Sequence, residues 1–249
     1  MRIRMPARTM LDALMALLFL LLMADRHTGN AAHELMGLLL AGLALLHARL
    51  NARWYGTLGG GFRTPHRAVL SLANLALLAA FIGTLASAIP ISSTLFGFMG
   101  FHGSLSDREL HLFFAHWSLV LAGMHLGFYW KRLTGGTAMR GLAASYGRLF
   151  TICTIPLAAY GLRVLVVREW QFPLTMNSAF TMWNPEDTLG LLLLDCSAVL
   201  CLFAWPAYIL SERMRNMDKS ATGPERKPVR KKTIAAGNAI RQTITGSDR

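Results

Sequence analysis

The sequence predicts an all-α fold, an integral membrane helical bundle of about six transmembrane helices. Hydrophobic residues make up 53% of the 249 residues and charged residues only 15%, which is unlike a basic soluble domain. Apolar runs of helix length are the main signal for segments that cross a hydrocarbon core of roughly 30 Å. Six such runs occur, at about residues 10–24, 31–50, 69–90, 109–130, 149–167 and 188–210.

The first run is the shortest, and Arg2, Arg4 and Arg8 precede it as they would precede the apolar part of a signal peptide. No small-residue cleavage site lies convincingly before the second run, so we expect the first helix to be retained. It carries no candidate ligand, and we assign it a packing role.

The net charge of +12 is explained by membrane topology. Of the 25 Lys and Arg residues, 21 lie in the N-terminal segment, the second-to-third and fourth-to-fifth connections, and the tail after residue 210. These segments share one side if all six helices span. Because basic residues concentrate in cytoplasmic segments, we expect a multi-pass protein of the bacterial inner membrane with both termini cytoplasmic. The lipid bilayer is then its environment, and no nucleic acid partner is expected.

The chain divides into two regions. Residues 1–215 form the transmembrane domain, and residues 216–249 form a basic tail with few apolar residues. We expect the tail to be disordered and to lie on anionic lipid.

The helices at 31–50 and 109–130 read alike and form the core of the predicted bundle. Each has a histidine near its start and another 14 residues on: His33 and His47 in the first, His111 and His125 in the second. Two residues 14 apart lie about 21 Å apart along a helix axis and differ by only about 40° in direction. Since one helix separates the two, both cross the membrane in the same direction, and their histidines lie at matching depths.

Matching depths pair His33 with His111 and His47 with His125; we call these the outer pair and the inner pair. Each pair can clamp one ligand between the two helices, and two bis-histidine hemes suit this arrangement. No C-x-x-C-H motif occurs, so the expected cofactors are two non-covalent heme b groups. His116 is rotated about 140° from His111, and we expect it to hydrogen-bond a neighbour or to face another helix.

Two other uses of the histidines were weighed. A chain of proton-relay histidines is the main alternative, but about 21 Å is too long for direct transfer. A zinc or copper site needs ligands clustered within one or two turns, and this spacing lacks them.

Three arginines are candidate partners of the heme propionates. Arg49 and Arg53 follow the second helix, where interfacial anchoring is an equal alternative. Arg163, near the outer end of the fifth helix, is expected to meet an outer propionate, to snorkel, or to pair with Asp195 of the sixth helix. For Asp195 we favour the ion pair with Arg163.

The outer connection at 91–108 is rich in Phe and Gly and has few charges. It either folds back over the outer end of the bundle and covers a cofactor edge, or forms a plain interfacial loop.

Several segments resemble the flavinylation-associated cytochrome family of bacterial membrane proteins. They are HELMGLLLAGLALLHARLNARWY (33–55), LHLFFAHWSLVLAGMHLGFYW (110–130) and SAIPISSTLFGFMG (87–100), within a resemblance that covers about residues 8–215. The resemblance implies a diheme b-type membrane cytochrome with the four paired histidines as axial ligands and flavin-containing extracytosolic partners. After Gly127 the chain reads Phe-Tyr-Trp where many relatives have another histidine, and this departure leaves the four ligands in place.

We therefore expect an electron carrier between a quinol or cytosolic-side donor and an extracytosolic flavoprotein acceptor. It would be an electron-transfer protein or redox-complex subunit, with no catalytic residue assigned. Two alternatives stay open: a heme b subunit of a quinol-linked membrane dehydrogenase, and a non-redox transporter or assembly protein whose histidines are polar packing.

Overall fold

The computed structural model is helical throughout the regular elements that it describes, which confirms the all-α prediction. It describes residues 7–58, 64–131, 143–177, 180, 184 and 186–221. The helices are α1 (Ala7–Leu22), α2 (Asp25–Thr28), α3 (Asn30–Leu50), α4 (Ala52–Gly56), α5 (Pro65–Ile91), α6 (Leu105–Phe128), α7 (Ala143–Val167), α8 (Gln171–Leu174) and α9 (Leu189–Ala221). A 3₁₀ turn at Gly97–Met99 lies between α5 and α6.

Four of these helices are long and apolar enough to cross a membrane, and they indicate a membrane protein. Within the described residues they are Asn30–Leu50, Pro65–Ile91, Leu105–Phe128 and Leu189–Asp218. The other two predicted spans are not among these four. The 16 residues of α1 extend about 24 Å, less than a typical hydrocarbon core. The helix α7 has 25 residues, and its side chains are described from residue 152 onward.

Local signals set the ends of the helices. Ser104 and Asp107 form a capping box, in which each side chain binds the backbone N–H of the other, so α6 begins at Leu105 rather than at 109. Pro90 lies in the last turn of α5, which ends one residue later, as expected for a proline stop. The last helix continues to Ala221, into the segment expected to be a disordered tail; residues 222–249 lie outside the described residues.

The tightest packing centres on α6. This helix packs along α5 and α9, and α9 also packs along α7. Gly123 and Gly127 allow the close approach, because a Cβ on either would collide with a backbone carbonyl of α9, at Leu200 and Ala204 respectively. The main core joins α1, α6, α7 and α9, and its most buried large side chains are Leu119, Val164, Trp170, Leu192 and Val199.

The first histidine helix, α3, is packed differently. It lies along α1 and does not pack closely along α6 over its described length. Only 6% of the apolar stretch of α3 is buried within the protein, and leucines such as Leu45 are largely exposed. Within the described residues, α3 and α6 therefore approach each other closely at few positions, if at any.

Candidate functional site

The structure brings the outer pair together. The ring centroids of His33 and His111 lie 6.2 Å apart, with 69° between the ring planes. Imidazoles that bind one metal ion from opposite sides, at about 2.0 to 2.1 Å each, place their ring centres roughly 6 Å apart. The outer pair therefore has the separation that a shared metal ion needs.

A backbone carbonyl of α5 orients His111. Its Nδ1 lies 3.0 Å from the Thr84 carbonyl oxygen, with the Ser87 hydroxyl at 3.5 Å. Because a carbonyl oxygen only accepts, Nδ1 carries the proton and the lone pair of Nε2 is left for a ligand.

The inner pair is oriented by side chains. His125 Nδ1 donates to Asn74 Oδ1 at 2.8 Å, and the Asn74 amide donates to the Tyr129 hydroxyl at 3.2 Å. His47 Nδ1 donates to Asp12 Oδ1, also at 2.8 Å. His125 is close enough to His47 and Asp12 for a charge on either residue to act on it.

One pattern therefore recurs at His47, His111 and His125: Nδ1 donates to a fixed acceptor, and Nε2 is left free. Metal-binding histidines almost always show this arrangement, because the second hydrogen bond fixes the tautomer and raises the basicity of the ligating nitrogen. His33 is the exception, since its Nδ1 is buried without a hydrogen-bond partner among the described residues.

The two glycines of α3 lie on different faces of the helix. Gly37 is four residues from His33 and lies on the side of the histidines, where a Cβ would only touch Leu22. Gly42 is rotated about 140° from His47 and about 180° from His33, and it is exposed on the other side. The feature that fits two bis-histidine hemes is the donor set: four paired histidines, three of which donate from Nδ1 to a fixed acceptor.

His116 does not belong to either pair. It is buried, its Nδ1 donates to the Leu112 carbonyl at 2.8 Å, and its ring meets Trp170 edge-on at 4.7 Å. The expectation that it hydrogen-bonds a neighbour or faces another helix is confirmed in its first part; Trp170 belongs to the turn after α7.

The predicted partner of Asp195 was wrong. Asp195 is 1% exposed and accepts hydrogen bonds from Arg168 Nε at 3.0 Å, Arg168 Nη2 at 2.8 Å and the Tyr160 hydroxyl at 2.7 Å.

Arg168 directly follows α7, and its N–H still donates to the Val164 carbonyl at 2.9 Å, as in a helix. It lies five residues after Arg163, a rotation of about 140°, so it reaches Asp195 of α9 while Arg163 is exposed. Burial opposes the charge of Arg168, but its bonds to Asp187 and Asp195 outweigh that effect and raise its pKa above the ordinary arginine value.

The three candidate propionate partners lie on the surface. Arg49 is exposed in the last turn of α3, and Arg53 is exposed in α4. Arg163 is exposed on α7, with its guanidinium 5.8 Å from the centroid of the Tyr160 ring. Arg163 also lines a cavity of about 250 Å³ between the end of α7 and the start of α9, beside Arg168, Asp187 and Asp195.

Sequence reasoning missed Asp12 and Glu34. Asp12 is an acid within the apolar first helix, and that helix was assigned packing alone; the isolated acid was the available signal. Glu34 follows His33 directly, and its carboxylate binds the chain after α5. Sequence reasoning also did not pair Asn74 of α5 with His125.

Other metal chemistry has little support in the described part of the chain. No group of three or more His, Cys, Asp or Glu residues there could hold a metal ion.

Comparisons with protein-family models, curated proteins and solved structures found no match.

Proposed function

We propose that this chain is a b-type membrane cytochrome that carries electrons across the membrane. His33 and His111 would hold an outer heme b, and His47 and His125 an inner one, both without covalent attachment. The observation that carries the proposal is the 6.2 Å approach of His33 and His111 between two helices that do not pack closely. When bound, heme b supplies a one-electron iron couple.

The protein's own residues orient the ligands and tune them. Thr84, Asn74 and Asp12 hold the Nδ1 protons of His111, His125 and His47, which keeps each Nε2 unprotonated. Only Asp12 offers a charged acceptor, so it increases the basicity of its histidine more than the neutral acceptors do.

The proposed topology has six spans in a bacterial inner membrane, with both termini cytoplasmic. The outer pair would then lie near the extracytosolic face. The donor would be a quinol or a cytosolic-side reductant, and the acceptor an extracytosolic flavoprotein, in line with the resemblance to flavinylation-associated cytochromes.

Proteoliposomes test electron transfer across the membrane. Vesicles loaded with ferricyanide and treated with external dithionite should bleach the enclosed ferricyanide when they contain the wild-type protein. The His33→Ala and His47→Ala variants should each bleach it far more slowly. Equal rates for the wild type and both variants would contradict the proposal.

A second candidate function is supported by the cavity between α7 and α9. Its wall combines the apolar Val164 and Leu191 with the polar Tyr160 and Asp195, whose oxygens can accept hydrogen bonds from the hydroxyl groups of a quinol ring. The chain would then be a heme b subunit that oxidises quinol in its own pocket. Reduction of the hemes by a short-chain quinol, slowed at least severalfold by Tyr160→Phe, would favour it; reduction at an unchanged rate would count against this pocket.

A further inference from the structure

The carboxylate of Glu34 binds the backbone that follows α5. Its Oε1 accepts from the N–H of Ser93 at 3.0 Å, and its Oε2 accepts from the N–H of Leu95 at 2.7 Å. The N–H of Thr94 lies 3.2 Å from both oxygens, and the Ser92 hydroxyl donates to Oε2 at 2.7 Å. We call Glu34 and residues 92–95 the carboxylate latch.

Two neighbouring contacts support the latch. The Asn30 amide, one turn before Glu34, donates to Glu34 Oε1 and to the Ser93 hydroxyl, both at 2.7 Å. The Ser92 hydroxyl accepts from the N–H of Phe96 at 3.0 Å. Hydrogen bonds to an ionised carboxylate are roughly twice as strong as neutral ones, so this loop is held firmly against the start of α3.

The latch connects the two halves of the outer pair through α5. One end of the connection is Glu34, which is next to His33 in the chain. The other end is the Thr84 carbonyl of α5, which orients His111. Because α3 does not pack closely along α6, side-chain packing between these two helices does not fix their relative position. The carboxylate latch instead joins α3 to the end of α5, which packs along α6.

The ring of His33 depends on such a tie. Its Nδ1 is buried without a hydrogen-bond partner in the described residues, whereas the other three paired histidines each donate from Nδ1. The position of His33 opposite His111 is therefore set through the backbone of α3, and Glu34 fixes that backbone.

We infer that Glu34 is a positioning residue for the outer heme ligand His33, acting through the carboxylate latch. This inference rests on the proposed function. It also gives residues 92–95 a role: they hold the outer end of α3, while Phe98, 85% exposed, lies beyond them on the surface.

The test compares full-length Glu34→Gln with the wild type. Heme content and the midpoint potential of each heme are measured, and each heme is assigned with the His33→Ala and His47→Ala variants. Glu34→Gln keeps the shape of the side chain but replaces one acceptor oxygen with an amino group that faces N–H donors. We expect the outer heme to be held roughly 10-fold more weakly, at the low end of the range for residues that hydrogen-bond a ligand directly, because Glu34 acts on His33 through the backbone. The inner heme, measured in the same sample, should be unchanged.

Two further variants keep the result decisive. Ser92→Ala removes one donor of the latch and should produce a smaller loss confined to the outer heme, which tests the inference even if Glu34→Gln fails to fold. Glu186→Gln removes an exposed acid whose carboxylate lies outside the latch, and it should match the wild type.

Three results would overturn the inference. The first is unchanged heme content and potentials in both latch variants, and the second is an equal loss of both hemes in Ser92→Ala. In either case a wild type with two hemes would leave the proposed function standing. The third is a wild type that binds no heme, which removes the proposed function together with this inference.

Discussion

His33 and His111 face each other with ring centroids 6.2 Å apart, although the helices that carry them do not pack closely along their length. Packing alone does not favour two imidazoles in contact inside a membrane protein, because the polar nitrogens of each ring need hydrogen-bond partners or ligands there. The proposed binding of a metal between them would account for both the approach and the separation.

Removing either histidine of a pair should remove the same heme. His47→Ala and His125→Ala should each lower the heme content from about two to about one per chain, and the remaining heme should have the same spectrum in both. His33→Ala and His111→Ala should also keep about one heme per chain, with a spectrum that the two variants share and that differs from the first. The reason is that bis-histidine ligation needs both partners.

His116→Gln is the matched control, because His116 is buried in α6 but bonds only its own helix and Trp170. It should keep both hemes. If the variants grouped as His33 with His125, the parallel pairing of α3 and α6 would be wrong.

Asp12→Asn should raise the midpoint potential of the inner heme. The carboxylate accepts from His47 Nδ1 at 2.8 Å and makes the imidazole a stronger base, which favours ferric iron. A tenfold loss of that preference corresponds to about 59 mV for a one-electron couple. A redox titration followed by visible absorbance gives the value.

The outer heme of the same variant is its internal reference, and its potential should not move. An unchanged inner potential would show that Asp12 serves helix packing alone.

Arg168→Gln should destabilise the protein strongly. It would leave Asp195, 1% exposed, without its cation, and breaking a buried pair costs about 3 to 5 kcal/mol. Arg163→Gln is the matched change on an exposed arginine five residues earlier and should stay within about 0.5 kcal/mol. Thermal unfolding in detergent measures both, and similar transition temperatures would disprove the assignment of the ion pair to Arg168.

Gly127→Ala should loosen the contact between α6 and α9. The added methyl group would collide with the Ala204 carbonyl, a backbone atom that cannot turn away, and overpacking of this kind costs about 1 to 3 kcal/mol. Gly190→Ala, at the exposed start of α9, meets only Thr188 Oγ1 at 4.0 Å and should be tolerated. Equal stability of the two variants would argue against glycine-mediated packing.

Periodicity and spacing made much of the fold predictable. The six apolar runs became helices, Pro90 lies in the last turn of α5, and the two 14-residue histidine spacings lie on helices that bring His33 opposite His111. These features are local, because each is determined by residues within one helix and by the order of the helices.

Contacts between distant segments were not predictable in the same way. Asp12 meets His47 across 35 residues and Glu34 meets Leu95 across 61, and neither pairing has a repeat or spacing that marks it. The partner of Asp195 was misassigned because Arg163 was chosen, although Arg168 lies five residues later and about 140° around the helix, on the side that faces Asp195. Four of the six predicted spans are long and apolar enough to cross a membrane within the described residues, and the other two stay predictions.

The dithionite-reduced minus oxidised spectrum of the purified protein, with heme quantified against protein, measures directly whether the chain binds two hemes. We expect about two b-type hemes per chain, with the absorption bands of six-coordinate bis-histidine iron. A preparation of folded protein without a Soret band would contradict it, and the paired histidines would then be polar packing in a membrane protein of another function.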